Sequence, residues 1–310
     1  MNILLTGCAS RLAATCLPML LDDTRIHQIT GIDIKASKIS HDKYREHLID
    51  IRSNELARYY VDIDAVIHFA FVSNNGSLGK QRFDREAIRS VNVDGSKHVF
   101  ELAAEHGVKT LIHLSSAIVY GMDDNNPAFI SEEQALKPVT GLYYSEDKVA
   151  VEKLLDEYER EQPQVRVVRL RPHVILGQHP QQLVKLLLNW PYNFSFDDPQ
   201  PLTQCISEVD VATALVQALF LDVHGSYNLA TDQVASLHLI QKHLHNYTLP
   251  LPFGLVRQLH SLAWRYTGRY GDPAWIDCLP HSLTIDNEKA KRDLQWAPTL
   301  NLFECLDATI

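Results

Sequence analysis

Residues 111–120, LIHLSSAIVY, and 142–155, LYYSEDKVAVEKLL, decide how this chain is read. The first is an apolar strand that stops on two serines, Ser115 and Ser116. The second opens a helix in which Tyr144 and Lys148 stand four residues apart and so share a face. Ser116 precedes Tyr144 by 28 positions, and no other tyrosine in the chain has a lysine four residues on. A phenol titrates near ~10, too high for a base at neutral pH. A lysine cation beside it favours the phenolate. A serine hydroxyl at the strand end can hold a substrate oxygen while a proton moves. Tyr-x-x-x-Lys alone also arises on ordinary surface helices. The strand and the serine pair upstream are what point to an acid/base relay.

With Gly121 the strand end reads Ser-Ser-Ala-Ile-Val-Tyr-Gly. This run and the following helix resemble the extended short-chain dehydrogenase/reductase family, the NAD-dependent epimerases and dehydratases of nucleotide sugars. The resemblance implies Ser116, Tyr144 and Lys148 as the catalytic group and NAD as cofactor. It implies a small-molecule substrate of nucleotide-sugar type. The family's dehydratases place an acidic pair directly after the strand-end hydroxyl. Ala117 and Ile118 stand there in this chain, so no sugar dehydration is expected. The resemblance also implies a homodimer packed through two helices, at 85–105 and 143–161.

Residues 1–110 alternate short apolar strands (2–5, 29–34, 47–49, 65–70) with helical stretches (to about 21, 53–60, 85–105), and a fifth strand follows at 110–114. That alternation argues for an α/β fold, a Rossmann-type doubly wound parallel sheet with helices on both faces. The first turn, TGCASRLAA, follows a strand and opens a helix, which is the context a phosphate-binding glycine turn requires. Gly7 matches the family's Thr-Gly-x-x-Gly-x-x-Gly, whereas Ser10 and Ala13 replace its later glycines. Alanine suits a site that needs only a small residue. Ser10 places a side chain where backbone meets pyrophosphate, either obstructing it or offering its hydroxyl. Arg11 adds a cation at a helix start that already favours anions. Asp33 follows Gly7 by 26 residues, where a carboxylate accepts from the adenosine ribose and disfavours a 2′-phosphate. Lys35 and Lys38 weaken that preference for NAD over NADP.

By position, the resemblance implies cofactor contacts at Gly7, Ser10, Arg11 and Leu12 of the turn, and at Asp33 and Ile34. It places Asp50 and Ile51 near the adenine, and Phe69, Ala70 and Phe71 beside the pyrophosphate and ribose. Asn92, near the catalytic helix, and Leu114 are further implied cofactor contacts, as are Tyr144 and Lys148 of that helix. Pro172, His173 and Val174, in the RPHVILG loop after a sixth strand at 165–170, fall near the nicotinamide. His173 is read as an extra proton carrier or, more simply, a hydrogen-bonded neighbour.

Residues 1–176 are thus expected to form the NAD(P)-binding domain, with 205–230 returning to it and Asp210 capping a helix there. Residues 177–310 are expected to form a smaller α/β substrate lobe. Within it, LPLPFGLVRQLHSLAWRY is amphipathic. Lacking a strongly basic face, it is expected to pack on the sheet domain rather than on a membrane surface.

The 310 residues carry a net charge of −9, a poor match for nucleic acid. Five scattered cysteines point to free thiols in a reducing, cytoplasmic setting. No histidine spacing fits a metal site, and neither a leader nor a membrane span is expected. Two rival functions keep the same fold. One is a reductase or dehydrogenase of a non-sugar alcohol, steroid- or flavonoid-like, which the apolar 249–264 stretch suits. The other is a non-catalytic dinucleotide-binding regulator, suggested by the altered turn. A nucleotide sugar needs cations for its diphosphate, and Arg257, Arg265 and Arg269 are the candidates.

Overall fold

The structure is a computed structural model that describes residues 1–73, 84–180, 184, 188, 192–194, 200–244, 247–249, 252–267 and 273–309. Period-two alternation sets its sheet. In β1 (Asn2–Thr6), Ile3 and Leu5 join one hydrophobic cluster and Leu4 the other, and all three are fully buried. Only a strand covered on both faces hides both sets. The other strands of this sheet are β2 (Gln28–Asp33), β3 (Tyr44–Leu48), β4 (Ala65–His68), β5 (Thr110–Leu114), β6 (Arg166–Pro172) and Gly225–Leu229. All pairings are parallel, in the order Gly225–Leu229, β6, β5, β4, β1, β2, β3. The chain runs outward from β1 to β3 and then returns to lay β4 on the opposite side of β1. That reversal opens a crevice at the carboxyl ends of β1 and β4, where doubly wound sheets hold ligands.

Helix α1 (Arg11–Asp22) and the helix Glu208–Phe220 cover one face, burying Leu12, Cys16, Leu20 and Leu215 with Ile3 and Leu5. The other face carries α2 (Arg85–Arg89), α3 (Gly95–Glu105) and α4 (Tyr143–Glu161). There Val99, Val151 and Leu155 pack on Leu4, Val66, Leu111 and Val167. Each such aliphatic side chain contributes about 1.5–3 kcal/mol by leaving water.

Several expectations shift in detail. β2 ends at Asp33, leaving Ile34 exposed, and β3 starts earlier, at Tyr44. The helical stretch near 53–60 is a 3₁₀ segment, Asn54–Tyr59, capped by Ser53. β4 stops at His68, so Phe69 and Ala70 lie in the crevice loop. The helix over 85–105 is interrupted by a π turn, Ser90–Asp94, which turns Asn92 inward. Ser207, not Asp210, caps the Glu208–Phe220 helix: its hydroxyl accepts from the Asp210 amide at 3.0 Å. The Asp210 carboxylate instead accepts from the Thr299 amide and hydroxyl at 3.1 and 2.7 Å, tying down the C-terminal tail.

Beyond β6 the chain forms short pairings, Val174–Leu176 with Cys205–Ser207 and Leu202–Thr203 with Ala235–Ser236. Two helices follow, Phe253–Thr267 and Pro273–Cys278, joined by an Arg257–Asp277 ion pair at 2.6 Å. The first was expected to bury its apolar face. It buries Val256 and packs on the following helix, but Leu255, Leu259, Leu262 and Tyr266 face outward. No described helix is long and apolar enough to cross a membrane.

Candidate active site

The crevice begins at Gly7. Its φ of +74° is left-handed, and a Cβ there would meet the Ala70 nitrogen at 2.5 Å. Both constraints select glycine. Ser10 then caps α1, its Oγ accepting from the Ala13 amide at 3.3 Å. An accepting hydroxyl still has its proton to donate. The first turn of α1 holds no acidic residue and starts with the exposed Arg11, which leaves the helix start fit for an anion. Leu12 is buried in the core beneath. Asp33 closes the turn: its two oxygens accept from the Ala9 and Lys35 amides at 3.0 and 3.1 Å. Each keeps a further lone pair, so a ribose hydroxyl can still be received. These groups fit a dinucleotide. Asp50 is held by Arg52 at 2.6 Å, and Ile51 is buried against Gly95 at the start of α3.

The catalytic candidates meet at the carboxyl end of β5. Ser116 starts a 3₁₀ turn, Ala117–Tyr120, its Oγ accepting from the Ile118 amide at 3.4 Å. Its hydroxyl also lies near enough to the Tyr144 phenol to favour the ionised form. Lys148, one turn along α4, is buried. Its Nζ donates to the Leu114 carbonyl at 2.6 Å and lies 3.7 Å from the centre of the Phe71 ring. Phe71 in turn meets Tyr144 edge-to-face at 5.6 Å. Asn92 stitches the loop after β4 to α4. Its side chain accepts from the Val72 amide at 2.7 Å and donates to Asp147 at 3.1 Å.

One expectation is corrected here. Lys148 was expected to lower the Tyr144 phenol. Instead burial raises it, and the nearby Ser116 hydroxyl is the opposing influence. The ammonium is turned to a carbonyl and an aromatic face, with its Nζ 6.0 Å from the centre of the tyrosine ring. Burial also pushes Lys148 down to about 7, against the pull of the Glu152 carboxylate.

The third group of candidates follows from the end of β6, the strand beside β5. Pro172 ends β6, and Val174 is exposed on the next short strand. His173 is buried, its Nδ1 accepting from the Val174 amide at 2.8 Å and its Nε2 facing the Leu283 carbonyl at 3.1 Å. That is a neutral imidazole with a proton on Nε2. Burial lowers its pKa to about 4, so it is a hydrogen-bonded neighbour and not a proton carrier.

The sequence reading missed the layer beneath α4. Glu152, fully buried one turn beyond Lys148, accepts from Arg171 through both oxygens at 2.9 Å and from Ser115 at 2.6 Å. Arg169 reaches it at 3.2 Å and also pairs with Asp156 and Glu159. Burial works against the Glu152 carboxylate, but Arg171 and Arg169 hold its pKa below the usual range. Arg171 continues to Tyr120 at 2.9 Å, and Tyr120 to Asn228 at 2.7 Å. His68 and His113 stack at 5.4 Å in the same layer. The available signal was the pair Arg169 and Arg171, two apart in an apolar strand, with Glu152 at the helical spacing from Lys148. Trp275 was also missed. Its ring lies 5.8 Å from that of Tyr144, a contact no local pattern announces.

A strand-end hydroxyl, a phenol and a buried amine beside a switch-point crevice are the parts of a hydride-transfer enzyme of the short-chain dehydrogenase/reductase class. Comparison with known proteins agrees. The profile of the NAD-dependent epimerase/dehydratase family matches residues 3–193, and the chain belongs to that family. UDP-glucose 4-epimerase 2 of Oryza sativa subsp. japonica is 31% identical over 137 residues, 43% of this chain. That match spans about a third of the rice protein's length, 32%. Among solved structures, the UDP-glucose 4-epimerase of Thermotoga maritima with UDP-glucose superposes with a TM-score of 0.76 at 19% identity, covering 100% of this chain and 97% of the other. The UDP-glucuronic acid 4-epimerase of Bacillus cereus, in complex with NAD, gives 0.74 at 20% identity, covering 99% and 97%.

Proposed function

We propose that the chain is an NAD-dependent oxidoreductase or epimerase acting at a hydroxyl of a nucleotide-sugar-like substrate. The observation that carries this is the meeting of Ser116, Tyr144 and Lys148 at the end of β5, next to a crevice whose turn, helix start and Asp33 fit a dinucleotide. When bound, NAD supplies the hydride acceptor. Ser116 holds the substrate oxygen, and Tyr144 Oη takes its proton. The phenol needs its pKa lowered for that, and Lys148 is the only cation of the trio. Turning Lys148 from Leu114 and Phe71 toward the relay is therefore part of forming the active arrangement. Native mass spectrometry of freshly purified protein tests the reading: co-purifying NAD supports it, and a chain that neither carries nor binds NAD leaves the non-catalytic reading. Asp33 favours NAD over NADP. Calorimetry with both cofactors should find NAD tighter in the wild type and the preference reduced in Asp33→Asn.

A second reading is favoured by the surroundings of Tyr144. The phenol packs in an apolar cluster with Ile118, Leu142, Ala274 and Trp275, which suits a non-sugar alcohol. Of the cations considered for a diphosphate, Arg257 is paired with Asp277, and Arg269 lies outside the described residues. Turnover of UDP-sugars against steroid- or flavonoid-like alcohols, followed by NADH absorbance or product chromatography, separates the two readings.

A homodimer through α2, α3 and α4 is part of the proposal. None of the described large exposed apolar side chains lies on those helices. Their outer faces carry Lys97, Glu101, Lys153, Glu157 and Arg160, so such a dimer would be held by charge and would loosen with salt. A cytoplasmic location is proposed on the five buried free thiols.

A further inference from the structure

The helix Phe253–Thr267 presents a stripe that nothing described covers. Leu255, Leu259, Leu262 and Tyr266 are 43, 55, 52 and 76% exposed. Their spacing of four, three and four places them in one line along the helix. Gln258 and Arg265, each one residue before a member of the stripe, run along one flank. The opposite edge turns inward, with Val256 buried and His260, Ala263 and Trp264 half-buried.

The sequence around this helix also differs in charge from the chain as a whole. The chain as a whole carries −9. Yet from Gln233 to Gly271 it has no aspartate or glutamate, while Lys242, Arg257, Arg265 and Arg269 fall within that span. With Arg257 paired to Asp277 of the next helix, Arg265 is the described cation beside the stripe. An outward apolar stripe on a helix that carries no acidic residue and is flanked by an arginine is what an anionic lipid surface selects. Leucines and a tyrosine enter the headgroup boundary, and an arginine at the flank reaches back to the phosphates. A second copy of the chain fits less well. Four side chains are too few to fill the ~800 Å² per partner that a specific interface takes, whereas a bilayer needs no matching shape.

We infer that this helix is a peripheral docking element for an anionic phospholipid bilayer, with Leu255, Leu259, Leu262 and Tyr266 inserting and Arg265 at the rim. The helix also has a route to the chemistry. It packs on Pro273–Cys278, pairs with it through Arg257 and Asp277, and that helix carries Trp275 against Tyr144. Docking therefore sets the mouth of the site close to the bilayer. The inference is independent of which alcohol the site oxidises.

Co-sedimentation of the full chain with phosphatidylglycerol/phosphatidylcholine vesicles, and with phosphatidylcholine alone, tests it. Binding to the anionic vesicles should exceed binding to the neutral ones at least tenfold and weaken with salt. Leu259→Glu combined with Leu262→Glu should reduce it at least tenfold. Both positions are half exposed, so circular dichroism and the melting temperature should not change. Arg265→Glu, which leaves the stripe intact, should lower binding to anionic vesicles and leave the neutral background unchanged. No binding to anionic vesicles at low salt overturns the inference, as does binding that the leucine variants leave intact. Light scattering that shows a dimer lost in the leucine variants, with no vesicle binding by the wild type, makes the stripe a contact between copies and also overturns it.

Discussion

Tyr144 and Glu152 sit two turns apart on one helix and fail in different ways when changed. Tyr144→Phe removes only the oxygen proposed to move the proton. Turnover should fall by ~10²–10⁴, while NAD affinity measured by calorimetry stays within a few fold. Near-full activity in that variant assigns the relay to the wrong residue. Glu152→Gln leaves the geometry but removes the charge that Arg169 and Arg171 share in a dry layer. Breaking a buried pair strands its partner, at a cost of about 3–5 kcal/mol. Urea denaturation should show a loss of that order. A loss below ~1 kcal/mol would mean that Arg171 does not need the Glu152 charge, Arg169 being held by Asp156 and Glu159 at the rim. The same variant removes the carboxylate that favours the Lys148 cation, so activity should fall beyond what stability explains.

At the scale of elements, the turn into α1 settles what Ser10 does for the fold. Its hydroxyl caps the helix, which accounts for a serine at a place where the family carries glycine. Ser10→Ala should cost about 1 kcal/mol of stability and Ser10→Gly only a few tenths, as for other caps. Parallel urea titrations of the two variants read this directly, and equal losses would remove the capping role. If the serine proton also reaches a phosphate, both variants bind NAD more weakly. Gly7 admits no such freedom, since positive φ and the backbone of Phe69 and Ala70 exclude any side chain. The π turn at Ser90–Asp94 has a comparable purpose. It holds Asn92 where one side chain joins the crevice loop to α4, and π turns often occur at functional sites.

For the whole molecule, the buried imidazoles set the response to acid. Burial is the largest cause for each of His68, His113 and His173, and it lowers their pKa values from the usual 6.5, to about 3 for His68 and about 4 for His173. Between 6.5 and those values the unfolded chain binds protons that the folded chain refuses. Stability therefore falls as pH drops through 6.5, by up to ~1.4 kcal/mol per pH unit for each group. Thermal melts should show the midpoint falling between pH 7 and 5, before carboxylates titrate. A flat profile over that range means the histidines are not held neutral in the fold.

The parallel sheet and the Ser116, Tyr144 and Lys148 trio could be read from the chain because both are local. Strand period, helix spacing and a strand-end hydroxyl need only near neighbours in sequence. The first turn was partly readable for the same reason, through Gly7 and Asp33. What Lys148 does with its charge was not readable. That depends on Leu114 at the end of β5 and Phe71 in the loop after β4, and on burial, which no linear pattern measures. Glu152 became the centre of a charged layer only when α4 was laid over β6, bringing Arg169 and Arg171 beneath it. Trp275 reached Tyr144 from 131 positions away. The outward stripe of Phe253–Thr267 was the converse case. Its amphipathic pattern was plain, but a pattern states that a face is apolar, and only packing decides whether anything covers it.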